Sequence, residues 1–248
     1  VRNVAPSIAP LTPMTASEGQ SISYTWTASD PGLNDALSAI INWGDGTSST
    51  VPATTQTGAS RSFTAAHTFP DNATYNVRLE ISDGLVDVSS TTTATIAWVA
   101  PAFTVSNQTA VVNQLLSLPS ISVSDPGFPS ALGTVETFTA SILWGDGTPS
   151  QSVPISNFVP GSPGFPTTAK LSASHTFATT GSYTAKLTVN DDDGASTTKN
   201  FTIVVNPATT PDAWLPILNF DRDGFGNVIP AGTIISNQWA NWGVHIAS

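Results

Sequence analysis

Acidic side chains in turns are the residues of this sequence best suited to chemistry. They occur in Asp-Pro-Gly and Asp-Gly turns and in a run of three aspartates, Asp191 to Asp193. Calcium takes about six to eight oxygen ligands, which carboxylates from several loops can supply. The candidate calcium ligands are Asp30, Asn42, Asp83, Asp191, Asp193, Asp221 and Asp223. The alternative, which we favour for Asp45 and Asp146, is that each aspartate accepts hydrogen bonds from the backbone of its own turn.

The histidines are the other residues that could take part in metal binding or catalysis. His67 and His175 occupy the same motif, and neither has a second His or a Cys at metal-ligand spacing. We therefore predict that both are packed, hydrogen-bonded structural residues. Paired carboxylates that cleave glycosidic bonds need a deep cleft, which a small β-sandwich rarely has. The sequence predicts a protein that is not an enzyme.

Exposed tryptophans can stack on sugar rings, and the chain has seven tryptophans. Trp26, Trp43 and Trp144 share a strand face with aliphatic side chains, which places them in a core. Trp239 and Trp242 lie near the C-terminus, and we take them as the candidate ligand-binding residues; the alternative is that they seal a junction between domains.

The overall charge excludes two classes of partner. Seven Lys and Arg against 17 Asp and Glu give a net charge of −10, with a pI near 4.3. Nucleic-acid binding depends on clustered cations, so we expect no nucleic-acid partner. The sequence has no apolar run of about 18 residues, so we expect no membrane insertion. The chain has no cysteine, which excludes disulfides and thiolate metal sites.

Two copies of one pattern follow each other along the chain. Trp-Gly-Asp-Gly-Thr and His-Thr-Phe each occur twice in the same order. We also match Asp83-Gly84 with Asp193-Gly194, and we predict that 157–166 is a longer surface loop of the second copy. The shared structural residues are Trp43, Asp45, His67 and Tyr75 in the first copy and Trp144, Asp146, His175 and Tyr183 in the second.

The elements that position these residues are strands. Apolar and polar residues alternate from Tyr75 to Ile81 and from Tyr183 to Val189, which is the period of a half-buried strand. Short strands separated by turns predict an all-β fold of two tandem immunoglobulin-like antiparallel β-sandwiches. We expect one sandwich over 1–99 and another over 100–206, followed by a Pro-rich hinge and a partial, β-rich segment over 207–248.

The order of these motifs resembles the PKD (polycystic kidney disease) domain family. Asp-Pro-Gly, Trp-Gly-Asp-Gly-Thr, His-Thr-Phe and a long alternating strand carry the resemblance over about residues 5 to 206. It implies sandwiches similar to immunoglobulin and fibronectin type III domains, from bacterial cell-surface proteins or secreted hydrolases, and generally without catalysis. It also implies that calcium-binding members carry carboxylates where this chain has Ile40 and Asn42, or Ser141 and Leu143.

These observations lead to two functional hypotheses. The first is an extracellular structural or adhesive module, a spacer or fibre-forming repeat of a bacterial cell-surface protein that assembles head to tail by strand addition. Its partners would be neighbouring modules or identical subunits. The alternative is an accessory module of a secreted hydrolase that binds a polysaccharide or a protein. Calcium is the one cofactor that we consider, and we expect chelation to change the melting temperature little. The ends of the chain suggest an internal part of a longer array.

Overall fold

Nineteen strands and no helix make up the residues that the computed structural model describes, which are 2–32, 35–57 and 59–208. This confirms the all-β class and the tandem immunoglobulin-like sandwiches. Four candidate residues lie outside the described residues: Asp221, Asp223, Trp239 and Trp242. The predicted hinge and partial β segment over 207–248 also lie outside them, apart from residues 207 and 208.

The first copy contains eight strands. They are β1 (Ser7–Ile8), β2 (Met14–Ser17), β3 (Ser21–Ser29), β4 (Ser38–Asn42), β5 (Ser48–Thr57), β6 (Ser60–Thr68), β7 (Ala73–Ser82) and β8 (Asp87–Ala97). The hydrogen-bonded order is β1-β3-β6-β5-β4-β7-β8-β2. Strand β5 pairs with β4 through its first half and with β6 through its second half. The sheet therefore folds back at β5, and its two halves face each other as the two layers of a sandwich.

One hydrophobic core lies between the two halves of this folded sheet. Trp26 and Phe63 contribute from the half that contains β3 and β6, while Ile41 and Leu79 contribute from the half that contains β4 and β7. Buried and exposed residues alternate along β7, as the period-two pattern predicted.

The second copy contains eleven strands. They are β9 (Ala102–Phe103), β10 (Gln108–Val111), β11 (Leu115–Ser117), β12 (Ile121–Asp125), β13 (Phe138–Leu143), β14 (Gln151–Ser152), β15 (Ile155–Val159), β16 (Thr167–Leu171), β17 (Ser174–Thr176), β18 (Gly181–Asp191) and β19 (Ser196–Asn206). The sheets have the orders β10-β19-β18-β13-β14, β15-β16-β12-β9 and β11-β17. A second core, separate from the first, lies between them and includes Ile142, Leu187 and Ile203.

Three details differ from the sequence-based expectations. The sheets are antiparallel except for β2 beside β8 and β10 beside β19, where the second strand of each copy runs parallel to its last strand. Within the predicted loop 157–166, residues 157–159 belong to β15, which pairs with β16 with a bulge between Ser156 and Val159, and residues 160–166 connect these two strands.

The third difference concerns the repeat alignment. Ala39 pairs with Ile81 in the first copy, and Ala140 pairs with Val189 in the second. The residue at the end of β18 that corresponds to Asp83 is therefore Asp191, not Asp193. The second hairpin has one more residue before its closing backbone hydrogen bond, from Asp191 to Ala195 instead of from Asp83 to Val86.

The two sandwiches meet at a close-packed junction. The N–H of Phe128 donates to the carbonyl of Pro70 at 2.9 Å. Gly19 lies so near Pro126 that an added Cβ would be 2.6 Å from the proline Cβ and would overlap its carbonyl oxygen. Phe128 is only 7% exposed although it belongs to neither hydrophobic core. It is therefore buried by the meeting of the two copies.

Candidate functional site

The first copy of the repeated motif forms an aromatic stack locked by a histidine–aspartate pair. The Nε2 of His67 lies 2.7 Å from the Oδ2 of Asp45, and its ring stacks on Trp43 with centroids 4.5 Å apart. Phe69 packs edge-on against both rings and stacks in turn on Tyr75. The Tyr75 hydroxyl donates to the carbonyl of Asp71 at 2.8 Å.

The second copy repeats this arrangement closely. His175 lies 2.7 Å from Asp146 and stacks on Trp144, with centroids 4.9 Å apart. Phe177 and Tyr183 take the places of Phe69 and Tyr75. The hydroxyl of Tyr183 donates to the carbonyl of Thr179 at 3.0 Å.

Both aspartates of this motif also cap their own turns. One oxygen of Asp146 accepts from the Thr148 amide at 3.1 Å and from the Thr148 hydroxyl at 2.6 Å. Burial alone would raise the pKa of Asp146, but the hydrogen bonds from Thr148 and His175 outweigh burial and lower the pKa to about 2. The same balance, with His67 and Thr47 as donors, lowers the pKa of Asp45. Each carboxylate is therefore committed to holding its turn against the strand that carries the histidine.

A different group of acids lies where the two sandwiches meet. Glu18 comes from the β2–β3 turn, Asp71 from the β6–β7 loop and Asp193 from the β18–β19 hairpin. One oxygen from each of these three carboxylates lies within 4.8 Å of the others. We call Glu18, Asp71 and Asp193 the junction carboxylates.

Glu18 is the most buried of the junction carboxylates, at 2% exposed. Its Oε1 accepts a hydrogen bond from the backbone N–H of Val99, in the segment between the copies. Its Oε2 is buried and has no hydrogen-bond partner among the described residues. Burial and the charges of Asp125, Asp193 and Asp71 raise its pKa to about 8, although the bond from Val99 opposes the shift.

A second acidic group lies beside the junction within the second sandwich. We call Asp125, Glu136 and Asp191 the copy-two carboxylates. All three are buried, and each has one oxygen without a hydrogen-bond partner in the described part of the chain. Burial, together with neighbouring carboxylates, raises the pKa of Glu136 to about 9 and that of Asp125 to about 6, although a hydrogen bond from Gly127 opposes the shift in Asp125.

The acids of the first copy that were predicted as calcium ligands are held differently. Asp83 accepts from the backbone amides of Leu85 and Val86 and from the side chain of Asn3. Asp30 is buried, accepts from the amide of Gly32 at 2.6 Å through Oδ1, and has no hydrogen-bond partner for Oδ2 in the described part of the chain. Asp125 is held in the same way in the corresponding turn. Asn42 is exposed on the outer face of β4, where its side chain caps the amide of Gly44.

The structure thus brings one predicted ligand, Asp193, together with two acids that sequence reasoning missed, Glu18 and Asp71. A comparison of the copies contains the signal that could have found them. Gly19 in the first copy and Asn113 in the second lie at equivalent positions of the same kind of turn, with positive φ of 66° and 60°. The residues before them, Glu18 and Val112, therefore correspond. Asp71 corresponds to Thr179 by the tyrosine bonds. The first copy therefore has two acids, at the end where it meets the second copy, that the second copy lacks at the corresponding positions.

Solved structures similar to this chain are tandem immunoglobulin-like domains and parts of larger enzymes. The titin Ig tandem A164–A165 is 12% identical, with 84% of this chain and 100% of that chain covered and a TM-score of 0.35. The titin domains z1z2 in complex with telethonin are 15% identical, with 84% and 100% covered and a TM-score of 0.38. An endo-fucoidan hydrolase of glycoside hydrolase family 107 is 14% identical, with 82% and 29% covered and a TM-score of 0.36.

No curated protein matches the sequence. Among the described residues, no helix has the length and apolar character needed to cross a membrane. The PKD domain family matches residues 3–97 and 144–205, which is more than half of the chain and includes both Trp-Gly-Asp-Gly turns. The chain therefore belongs to the PKD domain family.

Proposed function

We propose that this chain is a non-catalytic structural module of an extracellular protein, acting as a spacer or fibre-forming repeat of a bacterial cell surface. PKD domains are typically extracellular and typically non-catalytic. The observation that carries the proposal is the close-packed junction, in which Phe128 and Pro70 join two sandwiches end to end. A spacer needs such a junction because a loose linker would not hold its modules at a set distance.

The histidine–aspartate pairs support the non-catalytic part of this proposal. His67 and His175 are each bonded to an aspartate and stacked on a tryptophan, so their rings serve packing. Asp45 and Asp146 accept bonds from their own turns. These residues carry the sequence motif, and their role is to stabilise the fold.

Head-to-tail assembly by strand addition is the second part of the proposal. Apart from the bulged β15, the edge strands of the described sheets have two to four residues each; they are β1, β2, β9, β10, β11, β14 and β17. Short and bulged edges resist pairing with another chain. We therefore assign the strand exchange to the segment after Pro207, with identical subunits as the partners.

Light scattering and negative-stain imaging of the full chain test this assignment. We expect elongated particles at low concentration and fibres or ladders at high concentration. Particles that stay monomeric at high concentration would contradict head-to-tail assembly and leave the spacer role. Independent movement of the two sandwiches in solution scattering would contradict the spacer role itself.

The alternative function is a carbohydrate- or protein-binding accessory module, and one observation favours it. The hairpin of β15 and β16 exposes an apolar patch, in which Phe165 is 72% and Val159 is 56% exposed. Exposed aromatic rings are suited to sugars and to protein surfaces. Retention on insoluble polysaccharides, compared between the intact chain and the Phe165→Ala, Trp239→Ala and Trp242→Ala variants, tests this function. If the intact chain is not retained, the polysaccharide hypothesis is wrong.

A further inference from the structure

We propose that the junction carboxylates Glu18, Asp71 and Asp193 bind one calcium ion. This ion would connect the end of the first sandwich that meets the second to the β18–β19 hairpin of the second sandwich. This inference goes beyond the proposed function, because it applies equally to a spacer and to a binding module. It rests on the positions of the three carboxylates, on the unpartnered oxygen of Glu18 and on the packing that holds them.

The spacing of the carboxylate oxygens suits calcium. Calcium lies about 2.4 Å from its oxygen ligands, so two ligands of one ion are at most about 4.8 Å apart. One oxygen from each of Glu18, Asp71 and Asp193 meets this limit with respect to both of the others. Three carboxylates supply up to about six oxygens when they bind through both, and water can complete the shell.

The burial of Glu18 is the second, independent observation. Its side chain is 98% buried, since 2% is exposed, and its Oε2 has no hydrogen-bond partner among the described residues. A buried carboxylate oxygen without a partner costs free energy unless a proton or a cation satisfies it. The Glu18 carboxylate lies in a cluster with those of Asp71 and Asp193, and such a cluster can ligate a cation.

The surrounding charges favour a cation over a further hydrogen-bond donor. The charges that act most strongly on Glu18 are those of Asp125, Asp193 and Asp71, and all of them are negative. Asp193 in turn faces Asp71, Asp192 and Asp191, and its carboxyl also lies at hydrogen-bonding distance from that of Glu18. A divalent cation at the junction would neutralise repulsion among these groups.

The all-oxygen ligand set points to calcium instead of zinc or copper. The chain has no cysteine, and His67 and His175 are already paired with aspartates. Magnesium demands a nearly regular octahedron and retains its water, whereas calcium accepts irregular sets of carboxylates from separate loops. Glu18, Asp71 and Asp193 come from three separate loops.

The packing around the site prepares the ligands for binding. The close approach of Gly19 to Pro126 fixes the turn that carries Glu18. The bond from Phe128 to Pro70 fixes the residue next to Asp71. Because the first copy supplies two ligands and the second supplies one, bound calcium would oppose any bending of the junction.

The test is calorimetric titration of the full chain with calcium chloride after removal of divalent ions with EDTA. The ligand variants are Glu18→Gln, Asp71→Asn and Asp193→Asn, and the control is Asp87→Asn, which removes the same charge from an exposed position on β8. We expect each ligand variant to weaken the same calcium site by at least about tenfold, while the control binds as the unmodified chain does. Extracellular modules typically bind calcium with a dissociation constant of about 0.1 to 1 mM.

Thermal unfolding provides a second readout and verifies that the variants fold. In EDTA near neutral pH, we expect Glu18→Gln to melt close to the temperature of the unmodified chain, because burial raises the pKa of Glu18 to about 8, so that the carboxyl is largely protonated, and because the amide can still accept from Val99. Calcium should raise the melting temperature of the unmodified chain but not that of Glu18→Gln.

Three results would overturn the proposal. The first is an absence of calcium binding at millimolar calcium. The second is binding that depends on Asp193→Asn but not on Glu18→Gln or Asp71→Asn, which would place the ion within the second sandwich alone. The third is equally tight binding of magnesium, which would overturn the assignment to calcium.

Discussion

The aspartates of the two Trp-Gly-Asp-Gly turns each join a turn to a distant strand. Asp146 bonds Thr148, two residues away, and His175, which lies 29 residues away on β17. Bonds to an ionised carboxylate are about twice as strong as bonds between neutral groups. The motif therefore stabilises the sandwich through the charge of the aspartate, and this charge can be titrated.

The pH dependence of unfolding tests the role of Asp146. A carboxyl whose pKa is lower in the folded chain, here about 2 against 3.8, contributes stability that is fully present above 3.8 and is lost as the pH falls through about 2. We expect this contribution to be about 1 to 2 kcal/mol, allowing for solvent screening. Urea unfolding between about pH 5 and pH 2 measures it. The Asp146→Asn variant should be less stable at pH 5 and should show a shallower loss on acidification, and an unchanged slope would contradict this role.

Two glycines of the second turn separate backbone strain from steric overlap. Gly145 and Gly147 both have positive φ, at 86° and 90°. A Cβ on Gly145 would overlap the carbonyl oxygen of Thr184, whereas a Cβ on Gly147 would meet nothing within 4 Å.

We therefore expect Gly147→Ala to cost about 1 kcal/mol from strain alone, and Gly145→Ala to cost about 2 to 4 kcal/mol. Urea unfolding of both variants measures the difference. Equal costs for the two variants would show that β18 moves away from the turn without loss of stability.

At the scale of elements, the segment between β12 and β13 distinguishes the two copies. It is longer than the corresponding segment between β3 and β4, and it carries Phe128, which the junction buries. Its other end reaches the first Trp-Gly-Asp-Gly turn, where Leu132 and Ala131 lie against Gly46. The insertion in the second copy thus serves contact with the first copy.

Truncation of Phe128 tests this interpretation. Because its side chain is buried outside both cores, we expect Phe128→Ala to weaken the junction and leave each sandwich folded. The free energy of unfolding should fall by about 2 to 4 kcal/mol, and the calorimetric transition should broaden or divide as the sandwiches unfold separately. The control is Leu115→Ala, which truncates an exposed side chain of β11, with an expected change within about 0.5 kcal/mol. A loss of β structure in Phe128→Ala would show that the residue belongs to the second core.

The sequence predicted the individual strands better than it predicted the contacts between the two sandwiches. Alternation along Tyr183 to Val189 is a local signal, since each buried residue faces the core of its own sandwich. Glu18 and Asp193, in contrast, lie in different repeats, and no spacing rule relates them. Their proximity depends on how one sandwich stacks on the next.

The alignment error at Asp193 has a related cause. Asp-Gly occurs in both hairpins, but the second hairpin is one residue longer, and its Asp191 to Asp193 run places two aspartates between Asp191 and the glycine. The dipeptide match therefore shifted the register, and only strand pairing shows that Asp191 corresponds to Asp83. The shift matters because the longer hairpin is what carries Asp193 to the junction.

At the scale of the whole molecule, a cluster of acidic side chains lies at the close-packed junction between the two sandwiches. The chain has a net charge of −10, and the junction carboxylates lie beside the copy-two carboxylates. Self-repulsion of this kind opposes the compact state. The second copy has no such charge at the positions that correspond to Glu18 and Asp71, which are Val112 and Thr179. The electrostatic cost therefore belongs to one junction.

Ionic strength tests whether this repulsion limits stability. In EDTA, we expect sodium chloride raised from about 20 mM to about 500 mM to increase the melting temperature, because screening weakens repulsion between the partly exposed Asp71 and Asp193. The double variant Asp71→Asn with Asp193→Asn should show a smaller increase, since it has lost both of these charges. An equal increase in the double variant would assign the salt effect to the general surface charge. Repulsion at the junction would then be too weak to affect stability, and the contact between Phe128 and Pro70 would be enough to hold the junction together.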